Sequence, residues 1–229
     1  MIDTLEYTAG DPDLRPRADR PPVPDRMRHL SRDRRGFVVP WFVPWINDSP
    51  EFRAMDGSKL NIALKRDLCW LCGGTLGRHK IFVAGAMCVI NRISPEPPCH
   101  EACADYAVRV CPFLTHPKMR RNETKLDAIR EAGGRVHPEA NPRNPGIVAL
   151  YYTNGYRVLR DQGHTLLQLA APARVGWFTQ ARTATRTEII GALEAGKLVL
   201  AQQAFKDGVD LETIELKYRL ALKLLPPPM

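Results

Sequence analysis

The sequence predicts an α+β protein: a treble-clef-like zinc module of knuckle, β-hairpin and helix, preceded by a proline- and arginine-rich arm and followed by a β-meander packed with helices. Three observations lead there. The pair Cys69-Trp70-Leu71-Cys72, followed at once by Gly73, is answered downstream by Cys99-His100-Glu101-Ala102-Cys103, and two close thiols plus a later His/Cys cluster is how a chain assembles a four-ligand zinc site. Asn154-Gly155 separates two apolar runs, a strong local hairpin signal. Thr185 with Glu188 three residues later has the form of a capping box that opens a helix.

Residues 1–36 read as the arm. Arg15, Arg17, Arg20, Arg26, Arg28, Arg32, Arg34 and Arg35 are interspersed with Pro16, Pro21, Pro22 and Pro24, and a proline-rich basic segment of this kind favours an extended course over a surface. The zinc module occupies 37–132. Its knuckle places the sulfurs of Cys69 and Cys72 on one side of a tight turn, and Gly73 relieves the turn where a side chain would crowd it. Residues 76–91 read as a hairpin, with Lys80-Ile81-Phe82-Val83 and Met87-Cys88-Val89-Ile90 as strands about a turn at Ala84-Gly85-Ala86. Pro97-Pro98 can open a helix but not sit inside one, so a helix is expected from about Cys99 to Val110, ending before Pro112. His100 and Cys103, at i and i+3, share a face of its first turn.

The expected ligands of Zn2+ are therefore Cys69, Cys72, His100 and Cys103, with Cys99 as the competing ligand because it stands i, i+4 from Cys103. Cys88 and Cys111 read as core thiols. Plain buried thiols and disulfides are the rival readings of six cysteines. Paired spacing is more specific than cysteine count, and residues 1–10 are acidic without an apolar run, so no secretory signal is expected. The protein is expected to be soluble and cytoplasmic, with no membrane partner, since no apolar run approaches the ~20 residues of a membrane span.

Residues 133–146 read as a linker or loop, with Gly133-Gly134 as a hinge and the stretch Pro138 to Pro145 after it. Residues 147–229 read as the meander plus helices. Strands are expected over 147–153, 156–160 and 164–170, the first two joined by a type I′ turn at Asn154-Gly155. Helices are expected from Thr185 to about Ala195, with Gly196 as a stop, then over 197–207 and 211–225. Leu211, Ile214, Tyr218, Leu222 and Leu225 lie on one face of the last of these.

The run Gly36-Phe37-Val38-Val39-Pro40-Trp41-Phe42-Val43, then Cys69-Trp70-Leu71-Cys72-Gly73, Met87, Asn91-Arg92, Glu96-Pro97-Pro98, His100, Cys103-Ala104 and Cys111-Pro112-Phe113-Leu114 resembles a family of uncharacterised bacterial and phage proteins over roughly residues 35 to 121. The resemblance implies a bacterial or phage setting and a shared zinc-like module, and it brings no activity with it. In that family the position of Cys99 need not hold a cysteine, which favours His100 and Cys103 as ligands.

A net charge of +8 and a pI near 9.4 favour polyanionic partners. Arg28, Arg32, Arg34 and Arg35 in the arm, with Lys118, Arg120 and Arg121 after the zinc helix, are the candidate contacts to a DNA or RNA backbone. Trp41, Phe42 and Trp45 are expected to pack as staples over the zinc module rather than stack on bases. No glycine-rich phosphate loop, Gly-x-Ser-x-Gly elbow or metalloprotease helix is present. His79, Asn91 and His100 follow the order of the His-Asn-His nucleases, where one histidine acts as general base and another holds a divalent ion. The expected function is non-enzymatic nucleic-acid binding, with a protein-protein adaptor as the alternative and a metal-dependent endonuclease as the second alternative.

Overall fold

A computed structural model of the chain describes residues 20–116, 124, 126–132, 134–136, 146–161 and 164–227. From Arg20 onward the arm segment is held against the body. A 3-10 turn over Asp25–Met27 buries Met27. Arg32 bridges antiparallel to Val38, and the Asp33 carboxylate accepts from the Arg35 and Phe37 amides.

The strands β1 (Trp45–Ile46) and β2 (Ser49–Pro50) form a small hairpin. Its central residues Asn47 and Asp48 have φ of 49° and 60°, as a type I′ turn requires. Next, β3 (Met55–Asp56) runs into α1 (Gly57–Arg66). The Asp56 carboxylate caps this helix by accepting from the Ser58 and Lys59 amides, and Asp67 ends it in the left-handed region.

After the cysteine knuckle come β4 (Lys80–Gly85), α2 (Ala86–Asn91), β5 (Ile93–Ser94), α3 (Glu101–Val110) and the short α4 (Pro112–Thr115). Two small elements follow, α5 (Leu126–Glu131) and β6 (Gly134–Arg135), the latter pairing with β3. The remainder supplies β7 (Val148–Thr153), β8 (Tyr156–Asp161), β9 (His164–Leu169), β10 (Arg174–Thr179), β11 (Arg182–Thr183), α6 (Arg186–Lys206) and α7 (Leu211–Leu222).

The main sheet has the order β11-β10-β7-β4, and a second sheet has the order β5-β9-β8. Alternation of side chains about the pleat sorts the main sheet's residues onto two faces. Val148, Leu150 and Tyr152 of β7, with Ile81 of β4, join the cluster that contains Trp70 and the knuckle cysteines. Ala149 and Tyr151, with Phe82 and Ala84, join Ile90, Trp177, Ile189, Leu193 and Tyr218 on the other face. The metal-ligand segment and the C-terminal helices thus cover opposite sides of one sheet. Among the described residues no helix is long and apolar enough to cross a membrane.

Three local expectations are corrected. The first strand of the expected 76–91 hairpin exists as β4, but Met87-Cys88-Val89-Ile90 is helix α2, so the knuckle is not followed by a local hairpin. A four-residue apolar run without alternation suits a buried helix as well as a strand. Here it buries Val89 and Ile90 against the helical layer, while β7 pairs with β4 along all six of its residues.

Asn154-Gly155 makes no hairpin. Neither residue has positive φ, and β7 does not pair with β8, because its two edges are taken by β4 and β10. The second two-residue turn with both central residues at positive φ is instead Gln180-Ala181, at 49° and 60°, between β10 and β11. Those two strands were absent from the sequence expectation.

Gly196 does not end a helix: α6 runs unbroken from Arg186 to Lys206. A Cβ at Gly196 would meet Met87 Cγ at 3.3 Å and Ile90 Cδ1 at 3.4 Å, so the residue lets α2 approach α6 closely. At the expected hinge, Gly134 lies in β6; Gly133 and residues 137–145 fall outside the described residues.

Candidate metal centre

The knuckle is built from main-chain bonds that fold the chain back on itself. The Cys69 amide donates to the Gly74 carbonyl at 2.7 Å and the Gly73 amide to the Cys69 carbonyl at 2.8 Å. The same turn aims amides at sulfur: Cys72 N lies 3.5 Å from Cys69 Sγ and Gly74 N lies 3.4 Å from Cys72 Sγ. Gly73 has φ +72°, and a Cβ there would stand 2.8 Å from the Trp41 ring. Glycine is thus required both by the turn and by the tryptophan lying over it. Phe42 stacks on Trp70 at 4.8 Å and 4°, and Trp41 meets Trp70 edge-on at 6.4 Å. These two aromatics cover the knuckle, whereas Trp45 is 49% exposed and does not act as a staple.

The second half of the site stands at the start of α3. His100 is the N-cap residue and Cys103 lies one turn in. The Cys99 amide and carbonyl bridge to those of Ile81 on β4, which fixes this end of the helix against the main sheet. Glu101 extends the attachment by accepting from the Tyr152 hydroxyl at 3.1 Å and from Arg174 at 2.5 Å.

One potential ligand atom from each of Cys69, Cys72, His100 and Cys103 lies within 4.8 Å of the other three. His100 Nδ1 is 3.3 Å from Cys72 Sγ and 4.0 Å from Cys103 Sγ. A tetrahedral ion with bonds of ~2.0 to ~2.3 Å would set its ligands about 3.5 to 3.8 Å apart, so the cluster is close to the required size. His100 Nε2 lies 2.9 Å from the Thr75 carbonyl. That bond places the proton on Nε2 and leaves the Nδ1 lone pair directed at the sulfurs.

The electrostatics of the cluster favour a bound cation. Cys69 is held well below the usual thiol range by S–H donation from Cys103, Cys72 and Cys99, together with the Cys72 amide. Cys103 is pushed far above that range, first because its S–H is held by the Cys69 and Cys72 sulfurs, then by burial and by negative charge on those sulfurs. Three thiolates at such spacing do not coexist without a compensating cation, and three sulfurs with one imidazole nitrogen can hold a metal ion.

All four expected ligands are therefore together, and Cys99 stands outside the set as a buried thiol that donates to Cys69, its own ionisation strongly suppressed by that contact. Cys88 and Cys111 are partly buried on α2 and at the end of α3, with burial pushing Cys88 up to about 11. His79 is exposed, Asn91 accepts from Lys217 of α7, and His100 belongs to the cysteine cluster. Lys80, next to His79, is buried and paired with Asp67.

Of the basic candidates, Arg28, Arg32 and Arg34 are exposed. Arg35 is committed to Asp33 through Nε and Nη2 at 2.8 Å and lies over the Phe37 ring. Lys118, Arg120 and Arg121 lie outside the described residues. Sequence reasoning missed Thr75, which orients His100 through a carbonyl that any residue carries. It also missed α1, although Asp56 ahead of Gly57-Ser58 was an available N-cap signal.

Comparison of the chain with known protein families, curated proteins and solved structures finds no match.

Proposed function

We propose that the protein is a zinc-stabilised, non-enzymatic nucleic-acid-binding protein of a reducing, cytoplasmic setting. The metal is assigned as Zn2+ because thiolate and imidazole donors in a closed set of four suit a structural zinc, with no position open to substrate. Cys69, Cys72, His100 and Cys103 hold the ion, and it supplies folding energy rather than chemistry.

The observation that carries the binding role is the disposition of the arginines on the 20–36 segment. Arg26, Arg32 and Arg34 are exposed, and among the described residues none of them meets a carboxylate; Arg32 donates only to the Gly36 carbonyl. Asp33 is consumed by Arg35 and by the turn, and only the open pair Arg28–Asp25 offsets the positive charge. A loop pinned to the body by Met27 and Phe37 presents these guanidiniums with little ordering cost, and guanidinium forks suit phosphate oxygens.

The test is duplex binding against salt. Arg26, Arg32 and Arg34 changed together to Gln should weaken binding and flatten the plot of log affinity against log salt by up to about 2.7 units, at ~0.9 per phosphate neutralised. Arg35 is left in place because it holds the turn. A parent protein that binds no nucleic acid at low salt would overturn the reading.

The adaptor reading is second, favoured by the exposure of Leu198 at 62%, Phe205 at 79% and Leu216 at 60% on α6 and α7. It calls for association that is insensitive to salt.

A further inference from the structure

A cleft of about 810 Å3 opens between α1 and the edge strand β8, lined by Asn61, Leu64, Lys65, Val158 and Arg160. Asn61 and Lys65 stand one turn apart on α1 with Leu64 beside them, and Val158 and Arg160 are two apart on β8, so each wall presents a polar and an apolar part. Among the described residues no carboxylate lines the cleft. Lys65 and Arg160 are both exposed, and neither has an ion-pair partner among the described residues. The cavity lies in the range usual for small-ligand sites, ~300 to 1,000 Å3.

We propose that this cleft binds a nucleotide unit of single-stranded nucleic acid, with its phosphate between Lys65 and Arg160, its base against Leu64 and Val158, and Asn61 at the base edge. This deepens the nucleic-acid reading and rests on it. Three features select the occupant. Two cations with no counter-ion among the described residues, one on each wall, call for an anion. An apolar floor beside them calls for a ligand with a flat apolar part as well as charge. A carboxamide supplies a donor and an acceptor side by side, the pattern that pairs with base edges. A recess between a helix and a strand admits an unstacked strand, as single-strand recognition requires, whereas the rigid cylinder of a duplex meets only its rim.

The experiment uses the full chain with zinc, a fluorescent single-stranded oligonucleotide of mixed sequence carrying one photoreactive thiouracil, and the duplex of the same sequence. The variant is Lys65→Gln with Arg160→Gln, both exposed positions, with zinc content and circular dichroism reporting the fold. The expected result is at least about tenfold weaker single-strand binding at low salt, with the salt slope reduced by about 0.7, the contribution of the one phosphate held between the two cations. Duplex affinity should stay within about twofold, and ultraviolet crosslinks should map to α1 or β8. Unchanged single-strand affinity in the double variant overturns the cleft while leaving the arginine loop as the binding surface. Failure of the parent to bind either oligonucleotide, with a glutamate-rich peptide bound instead and released by the double variant, overturns both readings and assigns the cleft to an acidic strand added to β8.

Discussion

His100 Nε2 and the Thr75 carbonyl oxygen are 2.9 Å apart, so the far arm of the knuckle orients the imidazole that completes the ligand set on α3. The two halves of the candidate metal centre are thereby joined through the protein itself. Thr75 holds its place because Leu68 bridges to it across the knuckle. Loss of either half should therefore be felt in the other.

The first prediction concerns metal content. Purified protein should carry about one zinc per chain, and Cys69→Ser, Cys103→Ser and His100→Ala should each fall below half of that by elemental analysis. Cys99→Ser should keep its metal, since that thiol only donates to Cys69. Structural zinc contributes about 10 to 16 kcal/mol against a net domain stability of about 5 to 15. A chelator should therefore abolish the cooperative thermal transition rather than shift it by a few degrees.

Gly73→Ala should destabilise the protein by at least about 1 to 2 kcal/mol, the cost of left-handed backbone for a residue with a Cβ. Displacement of the Trp41 ring, 2.8 Å from the new atom, adds to this. A cycle with Trp41→Ala separates the two terms by denaturant unfolding: coupling above about 0.5 kcal/mol is expected if the ring contact matters.

At Gly196 the expected order is Ala near neutral and Leu costly. Alanine gains about 1 kcal/mol of helix propensity against a mild contact with the flexible Met87 at 3.3 Å. Leucine forces α2 from α6 and should cost about 1 to 3 kcal/mol. Equal stability of the Leu variant and the parent would mean that the two helices do not meet there.

Glu96 gives a pH signature. Burial pushes its carboxyl from 4.5 up to about 7. Below pH 4.5 both folded and unfolded chains hold the proton and no cost arises. Between 4.5 and 7 only the unfolded chain ionises, so stability falls as pH rises, and above 7 the cost is constant at no more than about 3 kcal/mol. Glu96→Gln should thus match the parent near pH 4 and exceed it at pH 8 in chemical denaturation. A gain that does not change with pH would count against this.

What the sequence made legible was set by the range of the interactions involved. The Cys69–Cys72 pair, the His100–Cys103 pair, α3 and the Thr185 capping box at the head of α6 are each specified within a few residues, and each was readable from local spacing. The identity of Met87 to Ile90 as helix, and the failure of Asn154-Gly155 to form a hairpin, were not. Both depend on β7 finding β4 and β10, partners far away along the chain. Local turn chemistry at Asn154-Gly155 is worth less than burying all six residues of β7. At Gln180-Ala181 the closing pair Thr179 and Arg182 imposes a backbone that neither turn residue advertises. The α1–β8 cleft was invisible for the same reason, its walls being drawn from residues almost a hundred positions apart.

The pairing of β4 with β7 along six residues makes the stretches before and after residues 137–145 complementary fragments. Expressed as two separate polypeptides divided within that interval, they should recognise each other and copurify, each presenting the strand edge that the other lacks. Alone, the fragment that carries the cysteine knuckle would display β4 as an open template for its own kind. The natural covalent link thus does more than hold two parts together: it raises the local concentration of the correct strand above that of every wrong one while the sheet is being made.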